Sequence, residues 1–212
     1  MPILRGAVTF SRFRVDGGDP SGIDTRRWLV QGLRKKAFAP LDPGCTEEDR
    51  SAGFVELERT DATTFGPDLF QGEYALFAYR IDALRVPAAA LRRELEQWAA
   101  TFRVEKGRPP ARAERTAQRV ALREALRQRV TPTTRVHDVS WNLKLRELSI
   151  WAASRKAVEE IAATLEEALG VDLHPLTPSA SAKLGGVPDD ALAPTPALMG
   201  PGFGAREVDH GA

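Results

Sequence analysis

Apolar and polar positions change period several times along this chain, and each change predicts an element. From Ile3 to Val15 the residues alternate as in a strand, with Leu4, Val8 and Phe10 on one parity and Phe13 and Val15 on the other. That switch predicts a bulge near Ser11–Arg12. After a Gly-Gly-Asp-Pro turn at 17–20, a helix is expected from Ile23 to about Lys36, capped by Ser21 or Asp24 and packed through Trp28, Leu29, Val30 and Leu33. Arg34, Lys35 and Lys36 fall in its last turn, where cations complement the helix dipole. A loop over Pro40–Asp49 and a short strand over Gly53–Glu58 come next. Tyr74–Ile81 (YALFAYRI) is almost continuously apolar, the pattern of a central strand covered on both faces.

The middle of the chain changes to a helical pattern. Pro87 opens one helix through LRRELEQWAATF, and a break at Gly107–Pro110 leads into a second that nothing interrupts before Pro132. The second helix has no broad apolar stripe, because Val120, Leu122, Leu126 and Val130 are scattered among alanines. A helix with so little to bury is expected to project into solvent, paired with its neighbour as a helical hairpin. Strand patterns return at Thr134–Leu143 and Glu147–Trp151, with a turn at Lys144–Glu147. Ser154 and Gly170 bracket a helix over Arg155–Leu169, with Val158, Ile161, Ala162, Leu165 and Leu169 on its buried face. Val171–Leu176 reads as a last edge strand. The expected fold class is α+β: a mixed or antiparallel sheet in two rough halves, with a projecting basic helical hairpin. Residues 1–177 form the predicted domain, 84–133 its helical insertion, and 178–212 a disordered tail in which 5 Pro, 6 Gly and 7 Ala fill 18 of 35 positions.

Charge alters this picture more than composition does. The formal net charge is only +1. Residues 84–136, however, hold 13 Lys/Arg against 5 Asp/Glu, while the segments before and after carry −2 and −5. Within the basic segment, Arg112, Arg115, Arg119, Arg123 and Arg127 fall within about 120° of one another on a helical wheel. Their stripe is about 22 Å long. Glu114 and Glu124 lie off it and neutralise it only in part. Such a stripe is either a solvated face or a track for phosphates. Lys106, Arg108 and Arg135 flank it as further candidate contacts.

Other chemistry is sparse. No stretch has the apolar length of a membrane span, and the N-terminus lacks a signal-peptide pattern. The single cysteine, Cys45, excludes an internal disulfide, and the simplest compartment is a reducing cytoplasm. His137, His174 and His210 are scattered, and His137–Asp138 reads as a local pair rather than an acid/base dyad. No phosphate loop, dinucleotide fingerprint or metal-spaced ligand set occurs. Neither an enzyme, a cofactor, a metal nor a small-molecule substrate is therefore expected.

The segment from Ala75 to Pro178 resembles the bacterial recombination-associated RdgC family. The resemblance lies in ALFAYRI leading to VPAAALRRELEQ, in the basic KGRPPARAERTAQRVALREALRQRV, in DVSWNL beside LRELSIWAAS, and in SRKAVEEIAATLEEALGVDLHPLTP. A looser correspondence extends it over about residues 1–178. The resemblance implies a non-enzymatic, sequence-nonspecific binder of double-stranded DNA, associated with the nucleoid, that forms a homodimer and restrains RecA. Two departures qualify this. The family's aromatic tip is absent, since the region here reads TPTTRVHD, so the helix is expected to hold the backbone without wedging bases apart. The family's further C-terminal region is replaced by the Pro/Gly/Ala tail, so closure of a ring does not follow. The alternative is an interaction module that docks an acidic protein partner through the same hairpin.

Overall fold

The computed structural model describes residues 9–18, 24–44 and 48–192. Its strands are β1 (Ser11–Gly17), β2 (Arg50–Glu56), β3 (Phe70–Gln71), β4 (Tyr74–Ala83), β5 (Thr133–Asn142), β6 (Glu147–Trp151) and β7 (Val171–Pro175). Its helices are α1 (Thr25–Lys35), α2 (Ala88–Lys106), α3 (Arg112–Arg127), α4 (Arg155–Leu169) and α5 (Pro178–Leu184). The strands form one antiparallel sheet in the order β2-β4-β5-β6-β1-β7, with the short β3 also pairing with β4. The fold is α+β, as the hydrophobic pattern predicts.

Strand parity decides what each face buries. Ala75, Phe77 and Tyr79 of β4 join Val139 and Trp141 of β5 and Leu148 and Ile150 of β6 in the main core. Helices α1 and α4 cover that face. Leu29 and Leu33 lie four residues apart on α1, Ile161 and Leu165 lie likewise on α4, and all four are fully buried. The two helices approach closely because position 32 is glycine: a Cβ there would come within 2.0 Å of Leu169 Cδ2. The opposite parity contributes a smaller cluster of Phe38, Val55, Leu57 and Ala78. β4 is thus central and buried on both sides.

Local signals account for most boundaries. Gly170 ends α4 in the left-handed conformation at φ 66°, and its N–H donates to the carbonyl of Glu166 at 2.8 Å. In the β5–β6 turn the Asn142 side-chain oxygen accepts from the backbone N–H of Lys144 at 3.1 Å and of Leu145 at 2.9 Å.

Three expectations change. The register of β1 against β6 is continuous from Ser11 to Arg14, so no bulge occurs at Ser11–Arg12. Residues 1–8, which carry the other parity, lie outside the described residues, as do Ser21, Ile23 and Cys45. The two sequence halves interlock rather than lie side by side, because β1 inserts between β6 and β7. The predicted tail begins with structure: Thr177 Oγ1 accepts from the Ala180 N–H at 3.1 Å, Pro178 sits in the first turn, and α5 follows. A 3-10 turn at Asp189–Leu192 comes next, and 193–212 lie outside the described residues.

Candidate nucleic-acid interface

The long crossover between β4 and β5 is the hairpin of α2 and α3. Gly107 ends α2 at φ 65°, a left-handed position that costs glycine no Cβ clash. Pro109 and Pro110 then bar further helix before α3 begins. The α2 residues nearest the interior are Leu95, which is buried, and Trp98 and Phe102, whose rings lie 5.3 Å apart. On α3 the half-buried line is Glu114, Gln118, Leu122 and Leu126, spaced by four residues. The arginine stripe lies about 100° round the helix from that line, by helical geometry. It is therefore free to face outward along most of its length.

The tip is tied down by one carboxylate. Glu114 accepts both arms of the Arg108 guanidinium at 2.8 and 2.9 Å and the N–H of Ala111 at 2.7 Å. The Arg108 bond first, and the Ala111 N–H second, hold the Glu114 carboxyl down at about 2. Arg108 also lies over the Phe102 ring at 5.2 Å. A residue predicted as a flanking phosphate contact is thus engaged in closing the hairpin.

The foot is tied down by Asp49, which takes two arginines from the stripe. Arg127 Nε donates to Asp49 Oδ1 at 2.8 Å, and its two terminal nitrogens donate to the carbonyls of Pro43 at 2.7 Å and Glu48 at 2.8 Å. Arg127 is only 5% exposed. It anchors α3 to the loop before β2, and its place in the expected phosphate track is corrected accordingly. Arg123 reaches Asp49 Oδ2 at 3.1 Å and stays largely exposed. The hydrogen bond from Arg127, reinforced by the charges of both arginines, holds Asp49 below the usual carboxylate range despite partial desolvation.

What remains of the stripe is Arg112, Arg115 and Arg119, all exposed and with no ion pair among the described residues. Lys106 at the end of α2 is likewise exposed without an ion pair among them. Arg135 is not on the hairpin but on β5, opposite Ile81. Sequence reasoning missed Asp49 as the anchor. Its only local signal is position, just ahead of a strand, and nothing near it in the chain announces a partner on α3.

Other groups take structural roles. Arg34 donates to the carbonyl of Thr64 at 2.6 Å and Lys36 pairs with Glu167 at 2.5 Å, so both cations at the end of α1 tie it to its neighbours. His137 and Asp138, adjacent on β5, alternate between faces; Asp138 is fully buried and burial pushes the His137 imidazole down. Among the described residues no group of His, Cys, Asp and Glu is arranged to hold a metal ion, and no helix is long and apolar enough to cross a membrane.

No curated protein matches the chain. Residues 20–184 match the family model described as "Putative exonuclease, RdgC". The match spans α1 to α5, including the whole hairpin and every strand after β1. The chain therefore belongs to the RdgC family.

Proposed function

We propose that this protein is a non-enzymatic binder of double-stranded DNA, without sequence preference, that holds the phosphate backbone along α3. At the level of the family, RdgC membership already carries association with DNA and with recombination. The observation that carries the finer reading is the set of three guanidiniums, Arg112, Arg115 and Arg119, without an ion pair among the described residues and on one outward face of a helix clamped at both ends. Arginine forks suit phosphate oxygens, and a fixed row of them follows a backbone without reading bases. On this reading the protein modulates recombination by occupying duplex that RecA would use, or organises the nucleoid, and acts as a homodimer. Arg108 and Glu114 close on each other at the hairpin tip, whereas TPTTRVHD, the region read for an aromatic tip, lies at the foot of α3 and the start of β5.

The family description names an exonuclease. Strand cleavage and strand binding predict different fates for the same DNA, so the two readings part on strand length. One experiment separates the readings. The full chain is titrated into labelled duplex and single-stranded DNA at about 50 mM salt, with and without divalent metal, following both binding and strand length. Saturable duplex binding with intact strands, lost in Arg115→Glu/Arg119→Glu at unchanged thermal midpoint, is the expected result. Strand shortening from the ends makes the protein a nuclease. Absence of duplex binding, together with nuclease-insensitive capture of an acidic protein through the same arginines, makes it an interaction module.

A further inference from the structure

We propose that the groove at the root of the hairpin is a phosphate-binding site separate from the α3 face. The groove measures about 400 Å³ and is walled by Arg50, Arg85, Arg135, His137 and Lys156, with Ile81, Ala83 and Ala157 as apolar lining. Sheet register brings these together. Arg135 and His137 share one parity of β5, Ile81 stands opposite Arg135, and Ala83 stands between Thr133 of β5 and Arg50 of β2. The first turn of α4, with Ser154 and Lys156, forms the other wall.

Glu160 is the acidic residue lining the groove, and it is engaged by Arg50 and by Tyr79 Oη at 3.3 Å. Arg85, Arg135 and Lys156 have no ion pair among the described residues, so the groove holds an uncompensated charge of three cations. A cleft of one sign with low-dielectric walls concentrates counter-ions of the other. The α4 N-terminus adds to this field. Ser154 makes no side-chain capping bond and the first turn has no acidic residue, in contrast with α3, where Glu114 fills that role. Arg85 and Arg135 carry guanidinium forks that suit phosphate oxygens, and the first turn of α4 lines the same groove. The volume lies within the range of about 300–1,000 Å³ of small-ligand sites, so a phosphate ester fits as well as the bare ion. The ester could belong to a nucleic-acid backbone or to a mononucleotide.

This site stands whether or not α3 tracks DNA, and the test keeps the two apart. Amide shifts of the isotopically labelled full chain are followed during titration with inorganic phosphate against chloride of equal ionic strength. Saturable shifts at Arg85, Arg135 and residues 154–157 are expected. They should weaken about tenfold or more in Arg135→Gln/Lys156→Gln, as expected for losing two charge-assisted bonds, and persist in Arg115→Glu/Arg119→Glu. Titration of the same sites with a mononucleotide and with a short duplex assigns the source: tighter saturation by the duplex at equal phosphate concentration identifies the backbone, and equal or tighter saturation by the mononucleotide identifies a free ester. Non-saturating shifts with all three ligands, or saturation unchanged in Arg135→Gln/Lys156→Gln, would overturn the proposal.

Discussion

The salt dependence of duplex affinity tests the hairpin most directly. Each phosphate neutralised on B-DNA contributes about −0.9 to the slope of log affinity against log salt. Five arginines along α3 would contribute about −4.5. Arg127, however, is buried with three oxygen acceptors, and Arg123 is held by Asp49. The three that remain, Arg112, Arg115 and Arg119, contribute about −2.7, which is roughly a 40-fold loss of affinity for a fourfold rise in salt, against roughly 500-fold for all five. The assay is fluorescence polarisation with a labelled duplex from about 50 to 200 mM salt, comparing the protein with its Arg112→Gln/Arg115→Gln/Arg119→Gln variant. The difference between the two slopes isolates the hairpin from any contact elsewhere, including the groove at its root. Arg123→Gln alone should change the slope by less than about 0.5, whereas a full phosphate contact would remove about 0.9. A slope difference near zero would refute phosphate tracking by α3, and a full effect at Arg123 would refute the assignment of that side chain to Asp49.

Three further outcomes follow from the packing. Arg127→Ala leaves the carbonyls of Pro43 and Glu48 without their side-chain donor and Asp49 with Arg123 alone; the thermal midpoint should fall and amide exchange along α3 should rise, while Arg119→Ala changes neither. Glu114, held at about 2 in the folded chain, sits below its ordinary value of 4.5, so the tip contact contributes above that ordinary value and is lost as pH falls toward 2. Carboxyl NMR of Glu114 should titrate near 2, and Arg108→Gln should move the midpoint up. Gly53→Ala would place a Cβ 2.5 Å from the backbone nitrogen of Phe38, which bonds to the Phe54 carbonyl across the bridge beside β2. Overpacking against backbone should cost about 1–3 kcal/mol, which denaturant unfolding would resolve.

Much of the fold was legible because its signals are local. Prolines at 87, 109 and 110 mark the starts of α2 and α3, Gly170 marks the end of α4, and the apolar run of β4 announces a strand with neighbours on both sides. Helical periodicity alone aligns Arg112, Arg115, Arg119, Arg123 and Arg127 on one stripe, but it does not say that the last two are held by Asp49. Less visible was α5, whose small residues lack periodicity and whose start rests on the Thr177 cap.

By its own periodicity and charge segregation, the sequence determined an α+β chain interrupted by a basic helical hairpin, because those patterns act over one or two turns of backbone. Tertiary structure decided what distant residues do to one another. Insertion of β1 between β6 and β7 depends on pairing across most of the chain, which no local pattern encodes. Arg119 and Arg127 share one stripe and one residue type, yet one is exposed and the other is an anchor, because only the second meets the Pro43–Asp49 loop. Likewise Arg50, Arg85, Arg135 and Lys156 are unremarkable where they stand in the chain. Folding brings them to one groove, Arg50 against Glu160 and the other three without an ion pair among the described residues.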